Sequence, residues 1–401
     1  MDDHTSATST SDIGQRPSPP RRPVLVMAVV VACATLVVGL LVVVGRGTTV
    51  TPEEHGAVGD GRTDDTAALQ RTLAALEEGD TLELRDGAVY PHAEVLELAT
   101  SGVHLEGNGA ALLATRELTS AVHISGDDVE IEDLTLQLET STQRFHAWEQ
   151  MKLRISGDGV QVRRVTVLGA AAAGVYVGNG AGDFLLEDVV VEDSRADGIH
   201  MTGGAHDGRV VSPVTRRTGD DGVAVVSYLA DEAVTARIVV ESPVVEGTTW
   251  GRGLSVVGGQ DVTYRDIDVR DTDAAGVYIG SEGDPYFTYG SQDVLVEGGR
   301  VTGANTNSDK DHGSVLVYTG NERTGAERIT VRDLQLVDSR ASASWDVGVL
   351  RGPGTEIADV TLAGLTIEGG PDQAFWTNAE DAVLLTGSTA DGRRLPDRGD
   401  R

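Results

Sequence analysis

Apolar and polar positions alternate in short bursts along most of this chain, and the bursts recur. A glycine followed by alternating apolar residues appears as Gly174-Val-Tyr-Val, Gly198-Ile-His-Met, Gly222-Val-Ala-Val, Gly253-Leu-Ser-Val and Gly276-Val-Tyr-Ile. The intervals are 24, 24, 31 and 23 residues, and looser copies follow at Gly313 and Gly348. A second pattern interleaves with the first: a strand, a short polar break and another strand. It reads Val129-Glu-Ile-Glu-Asp-Leu-Thr-Leu, Val160-Gln-Val-Arg-Arg-Val-Thr-Val, Phe184-Leu-Leu-Glu-Asp-Val-Val-Val and Val262-Thr-Tyr-Arg-Asp-Ile-Asp-Val. Further copies begin near Ile238, Val294, Ile329 and Val360. Period-2 alternation marks strands with one buried face, and repetition at ~24 residues marks a solenoid. The expected fold is all-β: a right-handed single-stranded parallel β-helix, with about nine rungs between residues 120 and 375. A flat β-sandwich, the rival for a chain rich in Gly and Val, would not repeat both signals at one interval.

The ends of the solenoid need covers, because an open rung invites pairing with another chain. An amphipathic helix fits the N-terminal end, with Thr63 or Asp64 as N-cap, Ala67, Leu69, Leu73 and Leu76 as apolar stripe, and Gly79 as terminator. The β-helix domain is therefore expected over residues 50–388, and the polar, Arg-rich stretch 389–401 is expected to be a frayed tail. Ahead of the domain, Val24 to Val44 run without a charge, long enough for the ~20 residues that cross a bilayer as a helix. Arg16, Arg21 and Arg22 precede the run and only Arg46 follows closely, so residues 1–22 are expected in the cytoplasm and the domain outside. The expectation is a single-pass signal anchor at 23–45 in the cell membrane, with a cleaved signal or acylation at Cys33 as rivals. Residues 1–22, rich in Ser, Thr, Pro and Asp, read as disordered.

Composition adds two constraints. The formal net charge of -31 argues against nucleic acid as a partner. The single cysteine, Cys33, lies in the apolar run, so no intrachain disulfide staples the external part.

Aligning the repeated glycines reads columns along the solenoid surface. Just before the glycine come Ala173, Asp197, Asp221, Arg252, Ala275 and His312; two after it come Tyr176, His200, Ala224, Ser255 and Tyr278. Asp197 and Asp221 then sit about 5 Å apart on neighbouring rungs, with Asp220 beside them, His200 on the Asp197 rung and Arg252 one rung on. An isolated Asp-Gly is usually a turn. Three crowded carboxylates repel unless a cation, a shared proton or a substrate offsets them, which favours a functional explanation. Glycoside hydrolysis uses such a set, one acid kept protonated and its neighbours ionised.

His55-Gly-Ala-Val-Gly-Asp-Gly-Arg-Thr-Asp-Asp-Thr-Ala-Ala-Leu-Gln resembles the opening segment of the pectate-lyase-like β-helix superfamily. Within it, Thr218-Gly-Asp-Asp-Gly resembles the Gly-Asp-Asp segment of polygalacturonases, the family 28 glycoside hydrolases, and Ala196-Asp197-Gly-Ile-His resembles their preceding Asn-Thr-Asp segment. The resemblance implies Asp220 as general acid and Asp197 and Asp221 as water-activating bases. It departs where those enzymes carry Gly-His-Gly and Arg-Ile-Lys, here Gly251-Arg252-Gly253 and Tyr278-Ile279-Gly280. Losing those cations argues against a polygalacturonate substrate, and Tyr278 offers a stacking face instead.

Tyr176, Tyr228, Trp250, Tyr278 and His312 are the expected substrate contacts, among a wider set of Trp148, Tyr286, Tyr289, Tyr318 and Trp345, because sugar C–H faces pack on aromatic rings. Lys152, Lys310 and Asp311 are weaker candidates, and the long intervals 139–155, 280–292 and 303–312 are expected to wall a groove. Two other classes stay open. A polysaccharide lyase or uronate epimerase would use Arg252 as base, with Ca²⁺ on Asp197, Asp220 and Asp221; the hydrolase needs no cofactor. A surface protein that binds carbohydrate without cleaving it is the third.

Overall fold

A computed structural model describes residues 47–399 of the chain. The expected cytoplasmic tail 1–22 and the apolar run Val24 to Val44, with Cys33, lie outside the described residues. Among those described, no helix is long and apolar enough to cross a membrane.

Each turn of the chain lays down three short strands, as in Leu153–Ile155, Gln161–Arg163 and Thr166–Ala170. Each pairs in parallel with its counterpart one turn later: Leu153 with Val175, Gln161 with Leu185 and Thr166 with Val190. The result is the expected parallel β-helix. One of its faces is a sheet of eleven strands running from Leu96–Leu98 to Phe375–Thr377. Alternation decides what goes inside: Val175 and Val177, Ile199 and Met201, and Val223 and Val225 are buried and stack in register. Stacking like on like at ~4.8 Å fills the interior with Val, Ile and Leu, which suit a pleated surface.

The corners between faces take left-handed backbone, and most of the non-glycine residues there are aspartates, among them Asp133, Asp188, Asp193, Asp266 and Asp333. Aspartate tolerates that conformation better than most residues. Part of the acidic excess is thus a demand of the corners. Arginines on adjacent rungs answer it: Arg164 meets Asp133 at 2.7 Å, Arg217 meets Asp193 at 2.8 Å and Arg237 meets Asp207 at 2.6 Å. Such exposed pairs add little to stability, because water and salt screen them.

The repeated glycine leads into the eleven-stranded face, where the chain passes close to its own interior. A Cβ at Gly174 would lie 2.3 Å from Val191 Cγ1, so only hydrogen fits. The two looser copies are out of register. Val277 pairs with Val315, which puts Ser314 in the glycine column and Gly313 one residue early; Gly348 faces Leu316, two residues late. His312 therefore leaves the Asp197–Asp221–Arg252 column in which it was expected. Lys152 falls in the glycine column and turns inward, fully buried, with Nζ donating to the Ser120 carbonyl at 2.8 Å. Burial pulls its ammonium down to about 7, and it contacts no groove.

Both ends are covered, with two departures from expectation. The helix spans Thr66–Ala75 with Asp65, not Thr63 or Asp64, as N-cap. Asp60 accepts the Arg62 and Thr63 backbone N–H groups and holds those residues in a turn, while Asp65 accepts from Val58 and Gly59. Its buried side is Thr66, Ala68, Leu69 and Thr72; Ala67 faces solvent, and the helix ends before Gly79. At the other end, residues 389–399 do not fray. Thr389–Ala390 pairs with Thr366 and Ile367, then antiparallel with Arg393–Arg394, and Leu385 and Arg398 exchange backbone hydrogen bonds. An unpaired last rung would leave a row of unsatisfied backbone groups, which this turn satisfies.

Replacing Gly174 with Ala is expected to lower folding stability by about 1–3 kcal/mol through overpacking against Val191. Urea denaturation checks it, and an unchanged midpoint would mean the corner has slack that the geometry denies.

Candidate active site

Asp197, Asp221 and Arg252 each directly precede the glycine of successive rungs, so the parallel ladder stacks them. The ladder itself is bonded through them: Gly198 N donates to Asp221 O at 2.8 Å and Gly222 N to Arg252 O at 2.9 Å. Each acid also reaches one rung on. Asp197 Oδ1 accepts from Asp221 N at 3.0 Å and Asp221 Oδ1 accepts from Arg252 N at 2.7 Å. The turn role foreseen for an isolated Asp-Gly is therefore present, and it is not the whole role. Asp197, Asp220 and Asp221 are all buried, and one carboxylate oxygen from each lies within 4.8 Å of the others.

Three cationic groups face the three acids. His200 Nδ1 lies 2.8 Å from Asp197 Oδ2, an ion-pair contact angled poorly for a hydrogen bond. Arg144 Nη1 donates to Asp220 Oδ2 at 2.6 Å. Arg252 Nε lies 3.4 Å from Asp221 Oδ1 and Nη2 donates to Glu282 at 2.9 Å. Burial works against charge on every member, and the neighbours decide the outcome. Burial would lower His200, but the Asp197 charge and contact, with Asp221 and Asp220, raise it. Burial would raise Asp197, but His200, Arg144 and Arg252 hold it below the usual carboxylate range. Asp220 goes the other way. Burial, then the charges of Asp197 and Asp221, push it up to about 7 against the pull of Arg144 and Arg252. Its Oδ2 is occupied by Arg144 while Oδ1 is buried without a partner, lying against Gly251, where a Cβ would come within 2.6 Å. One neutral acid beside an ionised one is the division of labour that acid–base chemistry needs.

Ca²⁺ takes six to eight oxygen ligands in a site of net negative charge. Here each of the three carboxylates already faces a cationic side chain, so a divalent ion would enter against three positive groups. The donor set fits a proton-transfer cluster better than a resident metal.

A groove of about 680 Å³ opens over the cluster, lined by Asp197, His200, Asp220, Asp221 and Arg252. The three long intervals contribute its walls: Arg144 from the first, Glu282 to Asp284 and Tyr286 from the second, Asp309 to His312 from the third. Trp250 is half exposed (50%), with Lys310 Nζ 4.5 Å from its ring centre and also 2.7 Å from Asp273. Tyr228 lines this groove and a smaller adjoining cavity of about 270 Å³. Tyr176 lines only the smaller cavity, stacked on His200 at 5.6 Å.

Tyr278 departs from expectation. It is buried, covered by the Arg252 guanidinium at 4.3 Å and packed with the His312 ring at 5.9 Å, so neither is an open stacking face. The register places the small Ser255 on one side of Tyr278 and Leu316 on the other, and Tyr278 settles with Ala224, Val226, Val257 and Leu316 into an apolar cluster outside the main core, against Tyr228 and Tyr318. His312 has its pKa lowered to about 4, by burial first and then by Arg252 and Lys310.

Sequence reasoning missed Arg144 and Glu282 as members of the site. Arg144 reaches Asp220 from 76 residues away, and no column contains it. The only available signal was the extra length of the 139–155 and 280–292 intervals.

No protein-family model and no curated protein matches the chain in sequence. Solved structures match it in shape. The catalytic domain of a GH87 alpha-1,3-glucanase in complex with tetrasaccharides aligns with a TM-score of 0.58 and 16% identity, over 84% of this chain and 65% of that one. The A-module of the Azotobacter vinelandii mannuronan C-5 epimerase AlgE4 aligns with 0.57 and 16%, over 85% of this chain and 99% of that one. PfbA, a surface adhesin of Streptococcus pneumoniae, aligns with 0.61 and 12%, over 85% and 89%. The present chain thus spans about two thirds of the glucanase domain's length. Identities this low carry the fold alone, which is a parallel β-helix.

Asp220 binds its proton more tightly in the folded chain, up to about 7 against 3.8 for an ordinary aspartate. The stability it contributes is present below pH ~4 and lost as pH rises through ~7. Asp220→Asn stays neutral, so it is expected to gain roughly 2–4 kcal/mol over the parent at pH 8 and almost nothing at pH 4. Urea midpoints across that range test this, and parallel curves would mark Asp220 as an ordinary surface acid.

Proposed function

We propose that this protein is a glycoside hydrolase that cleaves a neutral polysaccharide bound along the eleven-stranded face. The observation that carries the reading is Asp220: buried, raised to about 7, one oxygen held by Arg144 and the other without a partner. In this reading the Asp220 proton passes to the glycosidic oxygen as the bond from that oxygen to the anomeric carbon breaks. A water supplies the oxygen that bonds the anomeric carbon, and its proton passes to Asp197 or Asp221. His200 keeps Asp197 ionised and oriented for that transfer.

Charge supports a neutral substrate. The groove carries Asp197, Asp220, Asp221, Glu282, Asp309 and Asp311, while Arg144, Arg252 and Lys310 are each paired with a carboxylate. A uronate polymer would bring further negative charge to a site whose cations are already engaged. The same pairing counts against elimination with Arg252 as base. Burial would lower its pKa, but Asp221 and Glu282 drive it above the ordinary arginine range, where it gives up no proton. The anchor at Val24 to Val44, if it spans the membrane as its length and flanking arginines indicate, holds the domain outside the cell and makes the substrate an external polymer.

The test incubates the protein with neutral and uronate-containing polysaccharides and reads each tube for new reducing ends and for ultraviolet absorbance of a new C=C bond. Reducing ends without absorbance are expected, and Asp220→Asn should lower their rate by about 10²–10⁴-fold. Both signals together, abolished by a chelator, would replace the hydrolase with a lyase. A glycan bound but never cut would leave a binding protein.

Arg144 opposes protonation of Asp220, so Arg144→Gln should raise the Asp220 pKa further. The alkaline limb of the pH–rate profile is then expected to move upward from about 7. A limb that stays in place would remove Arg144 from control of the acid.

A further inference from the structure

The chain has four tryptophans, and all of them lie along the eleven-stranded face. Trp250 and Trp345 line the groove, and Trp148 packs on Arg154, which stands in register with Tyr176 on that sheet. Trp376 stands at the outward position of the last strand, Phe375–Thr377. The outward column that leads to it runs Tyr278, Leu316, Gly348, Trp376, paired residue to residue. Leu316, Leu350 and Trp345 belong to the groove wall, so an apolar path continues from the carboxylates to the end of the solenoid.

At that end the rings of Trp345 and Trp376 stack, with centroids 5.2 Å apart and planes 19° from parallel. The arrangement is built. Gly348 leaves a bare patch of sheet beneath Trp345, since a Cβ there would come within 2.5 Å of Nε1. That Nε1 is buried without a hydrogen-bond partner, a cost that packing for stability alone would avoid. Trp376 remains 41% exposed, so the outer part of the stack is open to solvent.

We propose that the Trp345–Trp376 stack is a distal glycan platform, on which a sugar ring of the bound polymer packs its C–H face. The proposal rests on the hydrolase reading and extends it. Trp376 lies five strands beyond Val223–Val226, or ~24 Å along the axis from the acids. A chain long enough to touch both is held at two points, whereas a short oligosaccharide in the acid cluster is held at one. The enzyme therefore reads chain length, and its preferred substrates are long chains.

The test is affinity electrophoresis through gels containing dextran, xylan, mannan or polygalacturonate, with the parent, Trp376→Ala and Gly348→Ala, each also in an Asp220→Asn background. At least one neutral polymer is expected to retard the parent. Trp376→Ala should weaken that retardation by roughly five- to tenfold, in both backgrounds, and Gly348→Ala should follow by tilting Trp345. Val58→Ala, at a 43% exposed position just ahead of the capping helix at the other end of the solenoid, is the control that should migrate as the parent. Parental retardation of Trp376→Ala, or no retardation of the parent in any neutral gel, overturns the platform. Release of reducing ends by the same proteins is read separately. Cleavage with an unaltered Trp376→Ala gel sinks the platform alone, and Trp376-dependent retardation without cleavage sinks the hydrolase alone.

Discussion

Parallel in-register stacking at ~4.8 Å is the constraint on which the rest of this structure depends. Once the chain commits to laying each strand on its equivalent one turn back, every column must tolerate its own neighbour. Inside, that selects Val, Ile and Leu, whose branched side chains pack on copies of themselves. At the corners it selects aspartate and glycine for left-handed backbone, with arginines such as Arg164 and Arg217 placed one rung on to answer the accumulated charge. Where the turn enters the eleven-stranded face it selects glycine, because Val191 and its equivalents leave no room for a Cβ.

The same constraint concentrates charge in one place. Asp197 and Asp221 occupy one column and Asp220 stands beside them, so the ladder forces three carboxylates together that would separate in a flexible loop. The conflict is resolved unevenly. His200 and the arginines keep Asp197 ionised, and Asp220 yields by holding its proton. Uneven resolution is what turns a crowded cluster into an acid and a base.

Similarity in shape to a glucanase, an epimerase and an adhesin is what such a scaffold leads one to expect. The ladder determines the backbone and leaves outward side chains and inter-strand loops free, so chemistry varies over a constant frame. Function in this chain has to be argued from Asp220 and its surroundings and from the tryptophans along the face.

How much was legible in the sequence follows from what is periodic. The strand columns, the glycine column from Gly174 to Gly276, and the juxtaposition of Asp197, Asp220, Asp221, His200 and Arg252 all follow from alternation and spacing, because stacking converts a constant interval into contact. What breaks the interval escaped. The register beyond residue 300 slipped at Gly313 and Gly348, since loops of unequal length hide the count of residues per turn. Lys152 reads in the sequence as a weaker candidate substrate contact and lies inside, because only the paired strands reveal that it occupies a glycine's place. The placement of Arg144 on Asp220 and Glu282 on Arg252, and the stacking of Trp345 on Trp376, were decided by tertiary structure alone. Those contacts join segments tens of residues apart through loops without a period, and no local pattern records where a loop folds back.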